Sequence, residues 1–397
     1  MAKVYDNATD LITFARLQAQ NTTSGSSYLG SDGLLKFAAE DEPRIEYGSD
    51  GSLKGLLIEE QRTNLLRYSE DTNINYSNEV SKHPDAMAWL TGETTADLIV
   101  PTTVNSQHYF GYSSSYSAGT SNETYSFFAK ASGYHRFRVY LANQSSGYQA
   151  DFDLSAETAT NTGSAVGQSI ENFGGGWFRC SMTFLSTKVN PYPSVKIFDN
   201  AGNETFSGDG ASGIYFTGQQ LEQGSFVTSY IPTSGSTVTR SPDLASIPVS
   251  AFGYNQDAGT VVVEYDSVAP NTATNRRAFA LTGDPVGHEQ VSIYASSGYL
   301  HRGYVVNDGA VIALPIGATG WTENQFYKSA LTIDATDATI SVDGAAAVTD
   351  PTGSMPTIDT LALGSQATSG NYLNGHIKSL KYYPRRLTDA QLQELTA

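Results

Sequence analysis

A single cysteine, Cys180, stands in the 397 residues, so the chain cannot close a disulfide on itself, and zinc sites built from several thiolates are excluded. No stretch approaches the ~18 consecutive apolar residues of a membrane-spanning helix. Met1-Ala2-Lys3-Val4-Tyr5-Asp6 also lacks the apolar run of a secretory leader. These absences lead to the expectation of a chain made and left in the cytoplasm, without membrane insertion. Positive charge is scarce as well: 23 Lys and Arg against 40 Asp and Glu leave a formal charge of −17. That balance repels nucleic acid and anionic lipid unless a basic stripe offsets it, and only the pairs Arg276-Arg277 and Arg385-Arg386 come near one. No nucleic-acid partner is expected. The six histidines are scattered singly, and neither a Gly-x-Ser-x-Gly elbow nor a His-Glu-x-x-His helix occurs, which leaves nucleophilic and zinc hydrolysis without candidates.

What the chain has in quantity is tyrosine, 24 residues, together with Ser, Thr, Asn and 37 glycines. Tyr and Thr suit pleated strands, and Gly and Asn suit the turns between them. Two copies of Gly-Ser-Asp-Gly, at Gly30 to Gly33 and Gly48 to Gly51, predict hairpins, because the Asp-Gly pair tolerates positive φ. Alternation in Arg136-Phe137-Arg138-Val139-Tyr140-Leu141 predicts a strand with Phe137, Val139 and Leu141 on one face. Thr260 to Tyr265, Lys328 to Ile333 and Thr339 to Gly344 read as further strands, and Cys180, Trp89, Trp177 and Trp321 as core residues. Ser229 to Ser236 is rich in breakers and reads as a connector. A helix is expected at the C-terminal end, where Thr388 and Gln391 have capping-box spacing ahead of Leu392 and Leu395. The expected fold is all-β: tandem β-sandwich (jelly-roll) domains, a short β-rich N-terminal unit over 1–66, a jelly roll with its connector over 67–242, and a second sandwich over 243–397.

The search for chemistry returns no catalytic residue. Glu264-Tyr265-Asp266 has the alternate-carboxylate spacing of a retaining glycosidase pair, but Ser267 and Val268 break the pattern that should follow. Gly208-Asp209-Gly210-Ala211-Ser212-Gly213 matches a dinucleotide fingerprint in letters only, since Ile214-Tyr215-Phe216 continues as a strand and supplies no helix for a pyrophosphate. The oxygen-rich Asp199 to Glu204 loop departs from an EF-hand at Ala201 and Glu204; calcium on a sandwich edge stays open, assigned to no residue. Sugar binding needs an exposed aromatic ring with polar neighbours. Two stretches are stocked for it: Tyr109, Tyr112 and Tyr116 with Tyr134 and His135, and Tyr299, His301, Arg302 and Tyr304. Half-buried strand tyrosines are the competing expectation for each.

Glu42-Pro43-Arg44-Ile45-Glu46-Tyr47, Gly55 to Leu66 and Tyr68-Ser69-Glu70 together resemble a family of bacteriophage virion proteins of the head-spike-fibre or tail-appendage kind. Phe173 to Arg179, Gly218 to Gly224 and Thr228 to Thr233 resemble pieces of the carbohydrate-binding-module-like jelly roll that follows in that family. Ser341 to Gly344, Leu361 to Ser365, Leu373 to Ile377 and Tyr382 to Pro384 resemble a laminin-G or concanavalin-like sandwich. The resemblance implies a virion structural protein, a head spike, fibre or decoration subunit that displays lectin-like domains toward host surface polysaccharide. Its partners would be capsid or tail proteins and further copies of itself, as a homo-oligomer such as a trimer. It would assemble in the host cytoplasm and be exposed on the particle. Arg44, Glu59, Glu60, Arg62 and Asn64 would then anchor the subunit to the particle or contact other subunits, with a salt-bridged domain junction as the alternative. A tail fibre or tailspike with polysaccharide-degrading activity, and a secreted bacterial lectin, are the rival functions.

Overall fold

The computed structural model of the chain describes residues 13–15, 26–71, 76–111, 121–141, 147–186, 193–270, 275–296, 298–366 and 370–397. The described chain is nearly all β, with one short α-helix. Both Asp-Gly hairpins form: Ser27–Leu29 pairs with Leu35–Phe37, and Ile45–Tyr47 with Leu53–Ile58. Gly33 and Gly51 take φ of +75° and +78°, and the Asp32 and Asp50 carboxylates accept backbone N–H bonds from Leu34 and Ser52, closing each turn.

Residues 76–223 form one sandwich. Its seven-stranded sheet runs in the order Thr158–Asn161, Gln149–Asp153, Arg136–Leu141, Pro193–Ile197, Ser106–Gly111, Thr205–Phe206, with Tyr76–Asn78 also on Ser106–Gly111. The six-stranded sheet opposite is Gly167–Gly174, Trp177–Leu185, Asn122–Ser132, Gly213–Gln223, Ala96–Pro101, Val80–Met87. Alternation assigns the faces of Arg136–Leu141 correctly: Phe137, Val139 and Leu141 are buried between the sheets. Phe127 stacks on Phe216 at 4.5 Å and Phe137 on Phe152 at 5.4 Å, around fully buried Cys180.

The second sandwich draws strands from both sides of the first. Its eight-stranded sheet begins with Thr13–Ala15, which pairs with Leu244–Pro248, and continues through Thr360–Leu363, Arg276–Thr282, Gln290–Ser296 and Leu300–Asn307. Its seven-stranded sheet ends in Gly375–Tyr383, Leu53–Ile58 and Ile45–Tyr47. The jelly roll is therefore an insertion into this outer sandwich. Arg62–Asn64 leads into it and Val238–Arg240 leads out, and the two pair with each other as a two-stranded ribbon at the neck.

This topology corrects the expected N-terminal unit over 1–66 and moves the boundaries of the other two. Leu53–Ile58 ends in the consecutive buried apolar residues Leu56, Leu57 and Ile58, of which Leu56 and Ile58 find their burial in the core of the outer sandwich. The first hairpin goes the other way: Leu29 and Leu35 pack with Trp89, Phe128, Phe173, Trp177 and Tyr230 on the inserted sandwich. Trp89, Trp177 and Trp321 are all buried. At the C-terminal end, Asp389–Thr396 is helical behind a complete capping box from Thr388 and Gln391, and Leu392 docks against Val262 and Ala330.

Candidate functional site

Where the two sandwiches meet, charged side chains of the first seventy residues become part of a buried ionic joint. The Arg44 guanidinium holds the Glu59 carboxylate at 2.7 Å and the Asp243 carboxylate, and donates to Ser27 O at 3.1 Å and Ser229 Oγ at 2.7 Å. Arg240 lies 3.5 Å from Glu59 and 3.9 Å from Asp243. Glu59 accepts the Ser229 N–H at 2.8 Å and its hydroxyl at 2.7 Å. Burial works against the Arg44 charge, but Asp243 and Glu59 more than offset it and raise its pKa. Burial likewise opposes the Glu59 charge; Arg240, Arg44 and Ser229 outweigh it and hold the carboxyl far below the usual range. Asn64 clamps the neck, donating to Gln219 O at 3.1 Å and Ile231 O at 2.8 Å and accepting from Leu66 N and Leu221 N. Glu60 pairs with Arg62 at 2.7 Å and accepts from Asn374 at 2.9 Å. Arg44, Glu59, Arg62 and Asn64 are buried and Glu60 half-buried. These residues thus form the salt-bridged domain junction that was the alternative expectation: each is paired or hydrogen-bonded within the chain, with only the Nε atoms of Arg44 and Arg62 left without a partner.

Beside the joint, the sandwiches enclose a cleft of about 630 Å³. One wall carries His376 between two carboxylates: Nε2 lies 2.7 Å from Glu46 Oε2, and Nδ1 lies 2.9 Å from Asp266 Oδ1, which also accepts the His376 backbone N–H at 2.6 Å. Burial pulls this imidazole toward neutrality; Asp266 and Glu46 overcome that and push its pKa up to about 9. At neutral pH it is a charged hydrogen-bond donor on both nitrogens. Ser169, Ser225, Asn324 and the Phe326 ring are among the other lining residues, as is Ser229, whose hydroxyl is held by Glu59 and Arg44. Lys54 and Glu171 reach from the two sandwiches and pair at 3.1 Å.

The Glu264/Asp266 alternation does not yield a matched carboxylate pair. A register irregularity against Gly375–Tyr383 falls between Glu264 and Tyr265. Glu264 pairs with Lys378 at 3.3 Å, while Asp266 is buried on His376. Gly208–Gly213 leads into strand Gly213–Gln223, with Asp209 capping the Ala211 and Ser212 N–H groups. In the Asp199 loop the carboxylate is likewise taken by Ala201 N and Asn203 N, and Glu204 by Arg138 and Lys196. Among the described residues no group of three or more His, Cys, Asp or Glu is placed to hold a metal ion, and no helix is long and apolar enough to cross a membrane.

The two expected sugar-binding stretches fare differently. Tyr112 and Tyr116 lie outside the described residues. Tyr109 is half-buried beside buried Phe110, Tyr134 packs on Phe206 at 5.3 Å, and His135 is held by Asp153 at 2.9 Å. In the second stretch the strand pleat divides the group. His301 points into the core, fully buried, with the Tyr265 hydroxyl 2.6 Å from Nδ1, and burial pushes its pKa down to about 4. Its grouping with a surface platform is therefore corrected. Arg302 and Tyr304 share the opposite, half-buried face. Tyr299 sits in a turn at φ +56°, 50% exposed, with its ring 5.9 Å from Trp321. Sequence reading missed the neighbours that Arg302 and Tyr304 acquire across the sheet, namely Arg277, Ser292 and Tyr294.

No protein-family model matches the chain, and no curated protein matches it. Solved structures match parts of the chain. The CBM40 module of the Ruminococcus gnavus IT-sialidase, bound to α2,3-sialyllactose, matches with 17% identity over 37% of this chain and 87% of that one, at a TM-score of 0.32. A heptameric SAP-like pentraxin from Limulus polyphemus matches with 12% identity over 36% and 73%, at 0.30. A sialidase from Streptococcus pneumoniae matches with 17% identity over 38% of this chain, at 0.31, and only 26% of that longer protein is spanned.

Proposed function

We propose that the chain is a non-catalytic structural subunit of a bacteriophage particle that displays a saccharide-binding surface toward the host. The observation that carries the binding part is the cleft between the sandwiches. It combines hydroxyls, an amide, carboxylates and the Phe326 ring in one hollow of about 630 Å³, the mixture that hydrogen-bonds sugar hydroxyls and covers a ring's C–H face. Absence of catalysis is supported by how the acids are committed. Asp266 and Glu46 each bind a proton-bearing nitrogen of His376, so neither is poised as a general base or acid. The virion part rests on the resemblance of Glu42 to Glu70 to phage appendage proteins, and the buried joint supports it as a rigid coupling between stacked sandwiches.

A glycan array probed with the full chain tests binding: hits among host-surface polysaccharides support it, and a blank array refutes it. Antibody labelling of purified particles tests location, and unlabelled particles would remove the virion role. Release of reducing ends from a bound polysaccharide, lost in Glu264→Gln, would replace this reading with a degrading enzyme.

A further inference from the structure

The eight-stranded sheet of the outer sandwich turns one face to the core and the other away from it. On the outward face, register sets Arg277 opposite Tyr294, Tyr294 opposite Arg302, and Ser292 opposite Tyr304. The Arg277 guanidinium carbon lies 5.5 Å from the centroids of both the Tyr294 and Tyr304 rings, and the rings meet edge-on at 5.8 Å. Arg277 Nη1 donates to Ser292 Oγ at 2.6 Å. Burial raises the Tyr294 phenol pKa, and the Arg302 and Arg277 guanidiniums act against that rise.

What this cluster does not contain is a counter-charge. Elsewhere in the chain Arg44, Arg62, Arg138 and Arg386 are paired with carboxylates at 2.6–2.7 Å. Among the described residues Arg277 and Arg302 form no ion pair; the Nε of each is also buried without a hydrogen-bond partner, a feature shared with Arg44, Arg62, Arg179 and Arg240, so the missing counter-charge is what sets Arg277 and Arg302 apart from the paired arginines. Carboxylates outnumber basic residues 40 to 23 here, so two neighbouring unpaired guanidiniums are not a consequence of acid shortage. Aromatic faces compensate a buried cation only in part, and an orphaned guanidinium N–H costs free energy that a planar oxyanion removes by bidentate bonding. Arg302 and Tyr304 are half-buried, so the cluster meets solvent along strand Leu300–Asn307.

We infer that Arg277 and Arg302 form a receptor for the carboxylate of an acidic saccharide, with the Tyr304 ring beside the sugar. The anion receptor stands on the cluster itself; that its ligand is a saccharide rests on the proposed function. The site is separate from the cleft and lies on a different sheet, which gives the chain one surface for neutral hydroxyl recognition and another that selects charge.

The test is calorimetric titration of the full chain with a hexuronic-acid oligosaccharide and with the same oligosaccharide after carboxyl reduction. Binding of the acidic form at least ten times tighter than the reduced form, weakened at least tenfold in Arg302→Gln and in Arg277→Gln, bears the proposal out. Thermal melts of the variants check folding, and if Arg277→Gln fails to fold, Arg302→Gln and Tyr304→Ala carry the comparison. Equal affinity for both forms, unchanged in the variants, overturns the receptor and leaves saccharide binding at the cleft standing. Arginine-dependent binding of inorganic sulfate or phosphate with no response to either oligosaccharide overturns the saccharide ligand. Absence of binding by all these probes overturns the proposal entirely, and the glycan array separately reports whether the cleft reading survives.

Discussion

Arg44 and Asp243 form a salt bridge with neither side chain exposed, across 199 residues of sequence that contain the whole inserted sandwich. The pair closes the junction between the strand hairpin before the insertion and the strand that follows it. Removing one partner leaves a buried charge uncompensated, which costs about 3–5 kcal/mol. Arg44→Met should lower stability to urea by that amount, and Arg44→Lys should recover little of it, because one ammonium cannot reach both carboxylates, Ser27 O and Ser229 together. Fluorescence of Trp89 and Trp177 in the inserted sandwich, against Trp321 in the outer one, reads whether the two then unfold separately.

His376 gives the fold an alkaline limit. Its folded pKa of about 9 lies above the ordinary 6.5, so its contribution is fully present below pH 6.5 and is lost as pH rises through 9. Urea titrations across this window should show stability falling by on the order of 2 kcal/mol. In His376→Gln the slope should flatten, with lower stability at neutral pH. A slope that persists in the variant would assign the effect to another group.

Gly55 marks a close approach between two neighbouring strands of the seven-stranded sheet, Leu53–Ile58 and Gly375–Tyr383. It holds φ +122° at a register irregularity, and a Cβ there would sit 2.4 Å from the Ile377 carbonyl oxygen. Gly55→Ala should cost roughly 2–4 kcal/mol through strain and loss of pairing with Gly375–Tyr383. Amide exchange should speed up at Leu56 to Ile58 while the core of the inserted sandwich stays protected.

Thr388→Ala should remove about 1 kcal/mol from the terminal helix by deleting one half of its capping box. Exchange at Gln391 and Leu392 should rise, with strand Tyr327–Asp334 little changed.

Much of the fold was legible locally. The Asp-Gly turns, the faces of Arg136–Leu141 and the Thr388 cap are each set by neighbours within a few residues, where steric rules and periodicity apply directly. The assignment of Leu53–Ile58 to the distant sandwich was not legible, because the apolar run Leu56-Leu57-Ile58 says that the strand is buried and does not say against which partner. Glu60 and Asn374, 314 residues apart, meet only once that pairing exists. The same distinction governs the sites. Tyr299, His301, Arg302 and Tyr304 were grouped by adjacency, and the pleat sends His301 inward and Arg302 and Tyr304 outward. Period two contained that division already; the cross-strand arrival of Arg277 and Tyr294 did not lie in any single stretch.

The antiparallel ribbon at the neck also decides how the molecule bears tension. A pull applied between Phe14 and the Gly375–Tyr383 strand loads the outer sandwich, which holds both grips. The force reaching Arg62–Asn64 can cross directly to Val238–Arg240, so the inserted sandwich hangs outside the line of stress. A tether built this way can be stretched while the module it carries keeps its shape.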